Sequence, residues 1–237
     1  MTSVKAVLFD LDGTLIDHDT AAEVALVETL RATPGVRRAD HEHVRRWRHL
    51  EELAMDRYLA GELTFTEQRR LRVTSLAAEL GLGSWDARQA DAWFAGYLRR
   101  YEAAWRVYPD VRPALEALAT RGRRLRLGVL TNGDAGQQRG KLRHVGLADE
   151  LPDVIASSEA GAAKPSAKIF HTACTRLRLA PDEVAYVGDR LRTDAIAATD
   201  AGLHGIWLNR GDDTGPARPP AIRTLRDLPA LLTAIDR

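Results

Sequence analysis

Residues 4–9 (VKAVLF) form a short apolar run of β type that stops at Asp10 and is followed by Gly13. From Thr20 to about Glu102 the texture changes. Leu, Ala, Val and Trp recur every three or four residues with charges between them, which is the period of amphipathic helices. Breaks at Pro34-Gly35, Gly61 and Gly81-Leu82-Gly83 divide this block into about four helices. Thr64 with Glu67, and Ser84 ahead of Asp86, are the expected helix starts. After Pro109 strands and helices alternate. Apolar runs at Leu125–Leu130, Val154–Ala156, Val184–Val187 and Gly205–Leu208 read as strands. Helical stretches near Pro113–Arg121, Ala135–Val145, Lys168–Arg178, Arg192–Ala201 and Leu228–Ile235 lie between or after them. That alternation predicts an α/β fold with a parallel sheet covered on both faces. The first strand should join the sheet from the other end of the chain, so the helical block reads as an insertion. The segment Gly211–Pro220 (GDDTGPARPP) is expected to be a polar, mobile surface loop.

Composition narrows the class without identifying it. The 237 residues are 45% hydrophobic and 28% charged, as in ordinary globular proteins. A formal net charge of +1 gives no global pull toward nucleic acid or an anionic membrane, and neither is expected as a partner. A single cysteine, Cys174, excludes an internal disulfide, and its spacing from Phe170 reads as core. No apolar run approaches the roughly 20 residues needed to span a bilayer, and the N-terminus lacks the look of a signal peptide. A cytoplasmic protein is the expectation. Basic residues are mostly Arg, with only four lysines: Lys5, Lys141, Lys164 and Lys168. A GC-rich genome accounts for most of this bias. A lysine kept at a chemically suggestive position nevertheless points to a need for a compact ammonium.

In a parallel α/β sheet, ligands bind beyond the carboxyl ends of the strands. The first strand delivers Asp10 there, with Asp12 two positions on. The second ends in Thr131-Asn132-Gly133, the stretch after the third holds Lys164-Pro165, and the fourth ends in Gly188-Asp189 with Asp194 beyond. Any one of these aspartates alone reads as a turn or cap. Together they gather four acids, a hydroxyl and an amine at one edge, and clustered carboxylates need a hard cation such as Mg²⁺. Asp10 and Asp189 are the natural ligands. An aspartate can also attack phosphorus as a covalent nucleophile. Asp12 could protonate the leaving alkoxide and then deprotonate water. Thr131 and the backbone N–H groups after it could hold phosphate oxygens, with Lys164 adding positive charge.

This pattern resembles the haloacid dehalogenase superfamily. Asp10-Leu11-Asp12-Gly13-Thr14 is similar to its first motif, Leu130-Thr131-Asn132 to its second, Lys164-Pro165 to its third, and Gly188-Asp189-Arg190-Leu191-Arg192-Thr193-Asp194 to its fourth. The resemblance implies a Rossmann-like three-layer core from residues 1–16 and 105–237, with residues 17–104 as a helical cap of the C1 type. It implies a Mg²⁺-dependent phosphatase of a small phosphorylated metabolite, working through an aspartyl-phosphate. Asp10 would be nucleophile and Asp12 acid/base, with Lys164 bridging Asp10 and phosphate. Thr131 and Asn132 would bind substrate. Metal ligands would be Asp10, the Asp12 carbonyl, Asp189, and Asp194 as ligand or outer acid. Ala197 and Asp200 stand where such phosphatases often carry Gly and Ala, a matter of packing. Arg190 could touch substrate or face solvent.

Other features have simpler readings. His41 and His43 in Asp40-His41-Glu42-His43 point about 200° apart on a helix, so the segment reads as a solvated helix start. Arg45-Arg46-Trp47-Arg48 is flanked by Glu42 and Glu51-Glu52, which favours a solvated face with Trp47 buried. Four of the five tryptophans lie between Trp47 and Trp105 and should pack the helical block. Asp17 and His18 sit at its entry, where a hinge role is plausible. A 2-haloacid dehalogenase needs neither a proton donor nor a cation, so Asp12 and Asp189 argue against it. A phosphoglucomutase-like phosphotransferase would keep every motif residue. A non-catalytic binding module would predict a broken motif, and none is broken. Substrate identity and oligomeric state are not legible.

Overall fold

The computed structural model describes residues 3–121, 125–211, 214–215 and 218–237. The chain divides into two compact units, Met1–Asp17 with Arg106–Arg237, and His18–Trp105.

Among the described residues, the first unit is built on six parallel strands: β1 (Ala6–Phe9), β2 (Arg126–Thr131), β3 (Asp153–Ala156), β4 (Val184–Gly188), β5 (His204–Leu208) and β6 (Ala221–Ile222). Their order is β3-β2-β1-β4-β5-β6. Alternation along β1 sends Val7 and Phe9 to one face and Ala6 and Leu8 to the other, and each pair joins a separate buried cluster. Helices α5 (Val111–Ala119) and α8 (Leu228–Ile235) cover the first face through Val111, Leu115, Leu118, Leu228 and Leu232. Helix α7 (Ala167–Leu177) covers the second with Ile169, Phe170, Ala173, Cys174 and Leu177. Three layers result, the α/β architecture expected from the alternating pattern. Cys174 is buried as expected, and burial pushes its thiol up to about 11.

The edge strand β6 escaped the sequence reading. It is two residues long, paired only to Trp207 and Leu208 of β5, too short to leave a periodic trace. Part of the expected loop, residues 212–213 and 216–217, lies outside the described residues.

An ion pair also missed from sequence stabilises this unit. Asp110, just before α5, is 7% exposed. It accepts hydrogen bonds from Arg210 (2.9 and 3.1 Å), Thr224 Oγ1 (2.9 Å) and the Leu225 N–H (2.8 Å). Arg210 also donates to the Thr14 carbonyl at 2.8 Å and stacks on Tyr108 with its guanidinium carbon 3.9 Å from the ring centre. It thus ties the loop after β1 to the far edge of the sheet. Burial alone would push Asp110 up, but the donors from Arg210, Leu225 and Thr224 outweigh it and hold the carboxyl below its usual value. A depressed folded value means stability present above the unfolded value and lost as pH falls through the folded one. Asp110→Asn should therefore cost about 3 kcal/mol at neutral pH. The gap from wild type in thermal midpoint should narrow toward acid, measured by calorimetry across a pH series.

The second unit holds four helices: α1 (His18–Arg31), α2 (His41–Leu59), α3 (Phe65–Glu79) and α4 (Ala87–Ala103). Asp40 caps α2 by accepting from the Glu42 and His43 N–H groups, so the acidic-histidine segment is a helix start. Thr64 and Glu67 form the expected capping box of α3. The start of α4 differs from expectation: Asp86, not Ser84, is its cap, because the Asp86 carboxylate reaches the Gln89 N–H at 2.8 Å. Trp47 is buried against Trp93 and Tyr97 with ring centres 5.6 and 5.0 Å apart, while Arg46 pairs with Glu79. Arg72 lies inward on α3, 4.2 Å over the Trp47 ring and 3.0 Å from Glu51. No helix among the described residues is long and apolar enough to cross a membrane.

Candidate active site

Strand ends at the carboxyl edge bring the predicted residues together. Asp10 follows β1, and its N–H donates to the Val187 carbonyl of β4 at 2.8 Å, fixing it beside the β4 exit. The chain then turns at Gly13, with φ +86°. A Cβ there would stand 2.5 Å from Asp189 Oδ2, so only glycine permits both the left-handed backbone and this approach. Thr14 and Asp189 lock the two loops reciprocally, each hydroxyl contact at 3.1 Å.

Lys164 sits at the centre and is 5% exposed. Its ammonium donates to Asp10 Oδ1 (2.7 Å), Asp194 Oδ1 (2.6 Å) and Tyr186 Oη (2.7 Å). Burial opposes its charge, but Asp10 and Asp194 more than compensate and raise its affinity for the proton. Asn132 carries the loop that presents this lysine. Its side chain accepts from the Lys164 N–H at 2.8 Å and donates to the Lys164 carbonyl at 3.0 Å. Thr131 is buried at the end of β2, with its hydroxyl 2.9 Å from Gln138 Nε2.

One carboxylate oxygen from each of Asp10, Asp189 and Asp194 lies within 4.8 Å of the others. Burial pushes Asp10 up to about 7, with Asp194 and Asp189 adding to the rise against the pull of Lys164. Burial and then Asp194 raise Asp189 as well. Three acids facing one lysine leave negative charge uncompensated, and an all-oxygen set suits a hard cation. The three acids differ in what they can still offer. Asp194 is fully buried, its Oδ1 taken by Lys164 and Tyr186 and its Oδ2 by the Arg190 N–H at 2.9 Å. Oδ2 of Asp10 and Oδ2 of Asp189 meet no donor side chain among the described residues. The Arg190 side chain itself is exposed.

Three residues around this cluster were not foreseen. Tyr186, in β4, holds Lys164 from beneath and reaches the Leu130 carbonyl at 3.0 Å. It looked like one more apolar strand position. Gln138 and Lys141, on α6 (Ala135–His144), both contact the Asp12 carboxylate. Lys141 did carry a signal, as one of only four lysines in an arginine-rich chain.

Residues 4–202 match the model for haloacid dehalogenase-like hydrolases, and the chain belongs to that family. A glyceraldehyde 3-phosphate phosphatase from Methanopyrus kandleri is 32% identical over 88% of this chain and 85% of its own. The structure of a putative hydrolase of the family from Bacillus subtilis, YfnB, superposes with a TM-score of 0.79 at 22% identity, covering 98% of this chain and 99% of its own. A 2-haloacid dehalogenase from Pseudomonas syringae superposes with a TM-score of 0.70 at 28% identity, over 98% and 99% of the two chains. Relatives of both chemistries share the fold, so the choice between them falls to the side chains.

Proposed function

We propose that this chain is a Mg²⁺-dependent phosphomonoesterase of a small phosphorylated metabolite, with Asp10 as nucleophile and Asp12 as acid/base. The observation that carries the reading is the charge imbalance at the sheet edge: Asp10, Asp189 and Asp194 crowd one buried lysine. Displacing halide from carbon asks for no such excess of carboxylate. Binding a dianionic phosphate beside three acids does ask for a cation.

Asp10 and Asp189 are the proposed metal-holding carboxylates, joined by the Asp12 carbonyl. Asp194 supports them from behind by fixing Lys164 and the Arg190 N–H. Bound there, Mg²⁺ supplies positive charge for the phosphate oxygens. The protein's own groups account for the bond changes. Asp10 Oδ attacks phosphorus as the P–O bond to the leaving group breaks, and the carboxyl of Asp12 gives its proton to the departing oxygen. Water then loses a proton to Asp12 and attacks the same phosphorus. The bond to Asp10 breaks, inorganic phosphate leaves, and both aspartates return to their starting states. Lys164 and Thr131 hold the non-bridging oxygens through both transfers, with Lys164 neutralising charge throughout. Asn132 serves this scheme through the Lys164 backbone that it grips.

Hydrolysis of p-nitrophenyl phosphate is expected to require added Mg²⁺, to stop in EDTA and to return when Mg²⁺ is restored. Mg²⁺ should also raise the thermal midpoint, since it binds the folded acids. Release of chloride from 2-chloropropionate without metal, and no phosphate release with it, would overturn the reading in favour of a dehalogenase. Glyceraldehyde 3-phosphate is the natural first member of a panel of phosphorylated metabolites, given the relative named for it.

A further inference from the structure

The proposed acid/base is held from outside the four motifs. Helix α6 turns Gln138 and Lys141 inward, three residues apart on one face, with exposures of 2% and 3%. Lys141 Nζ reaches Asp12 Oδ1 at 2.7 Å and Oδ2 at 2.6 Å. Gln138 Nε2 lies 3.1 Å from Asp12 Oδ2 and 2.9 Å from Thr131 Oγ1. An ammonium is costly to bury without a counter-charge; Asp12 supplies one while ionised, and when it carries the proton destined for the leaving group its other oxygen still accepts from Lys141. Gripping both oxygens removes the rotation that a carboxylate on a loop otherwise keeps. Through Gln138 the same grip extends to the threonine at the end of β2, so acid/base and phosphate-binding edge are fixed to one helix.

We propose that Lys141, together with Gln138, is a positioning residue that aims Asp12 at the leaving-group oxygen. This rests on the phosphatase reading above. The consequence is selective. A phenoxide leaves poorly and needs the proton of Asp12, whereas p-nitrophenolate leaves without much help. Losing the grip therefore penalises the first ester more than the second. A lysine that merely stabilised the fold would penalise both alike.

The test compares kcat/KM for phenyl phosphate and p-nitrophenyl phosphate with Mg²⁺, in wild type, Lys141→Met, Lys141→Arg and Gln138→Leu. Lys141→Met should lose roughly a hundredfold on phenyl phosphate, the scale of a misplaced catalytic group, and far less on p-nitrophenyl phosphate. Lys141→Arg should recover part of that loss. Gln138→Leu, which keeps the lysine, should show the same bias more weakly and covers the case in which Lys141→Met does not fold. In an Asp12→Ala background, Lys141→Met should add nothing further. Equal losses on the two esters in a folded variant, or a full extra loss in the Asp12→Ala background, would overturn the proposal. A wild type inactive on both esters would instead remove the phosphatase reading, and this inference with it, before any variant is made.

Discussion

Asp10→Asn is expected to abolish phosphate release, with kcat falling on the order of 10⁶-fold, the scale reached when a covalent nucleophile is removed. The asparagine keeps the shape of the side chain, and its oxygen can still accept from Lys164. What it lacks is the anionic oxygen that attacks phosphorus. It also removes one of the three acids that crowd Lys164, so Mg²⁺ should raise the thermal midpoint less than in wild type. Steady-state phosphate release and a Mg²⁺ titration of thermal stability check both halves. A folded variant with substantial residual turnover would show that another group attacks.

Lys164→Met is expected to affect stability and chemistry together. The ammonium contacts Asp10, Asp194 and Tyr186, all at 2.7 Å or less. Its loss leaves like-charged acids in a buried setting, a change that costs about 3–5 kcal/mol when one partner of a buried pair is deleted. The charge over the transferring phosphoryl group goes as well, so kcat should fall roughly 10²–10³-fold. Mg²⁺ should recover part of the stability, because it offsets the same carboxylates. It should not recover the rate. Chemical denaturation with and without Mg²⁺, beside single-turnover kinetics, separates the two losses.

What could be read in advance depended on whether a residue followed a periodic rule. The strands that end at Asp10, Thr131 and Gly188 are apolar runs cut off by polar residues, so both the strands and the chemistry at their ends were visible. The four helices of His18–Trp105 followed from a three-to-four residue period broken by glycines and Pro34. The buried polar partners broke that rule. Gln138 and Lys141 occupy the inward face of α6, and a pattern reading assigns such residues to solvent. Asp110 and Arg210 are a hundred residues apart and meet only through the sheet. Tyr186 hid in an apolar strand because its hydroxyl, not its ring, does the holding. The division of labour among the acids was legible only in part: Asp10 and Asp189 stood out as metal ligands, while Asp194 stayed open as ligand or outer acid. Sequence grouped Asp189 and Asp194 in one motif, and only their hydrogen-bond partners separate an acid with an oxygen to offer from one fully engaged.

The proposed mechanism depends on phosphoryl transfer to Asp10, and trapping that intermediate tests it most directly. Asp12→Asn should slow the water attack that clears the intermediate, so rapid acid quench after mixing with p-nitrophenyl phosphate and Mg²⁺ should catch phosphorylated enzyme. Peptide mass mapping should then find one phosphoryl group, on Asp10. Turnover in wild type with no phosphoryl-enzyme in either protein, or a phosphoryl group on a different residue, would contradict it.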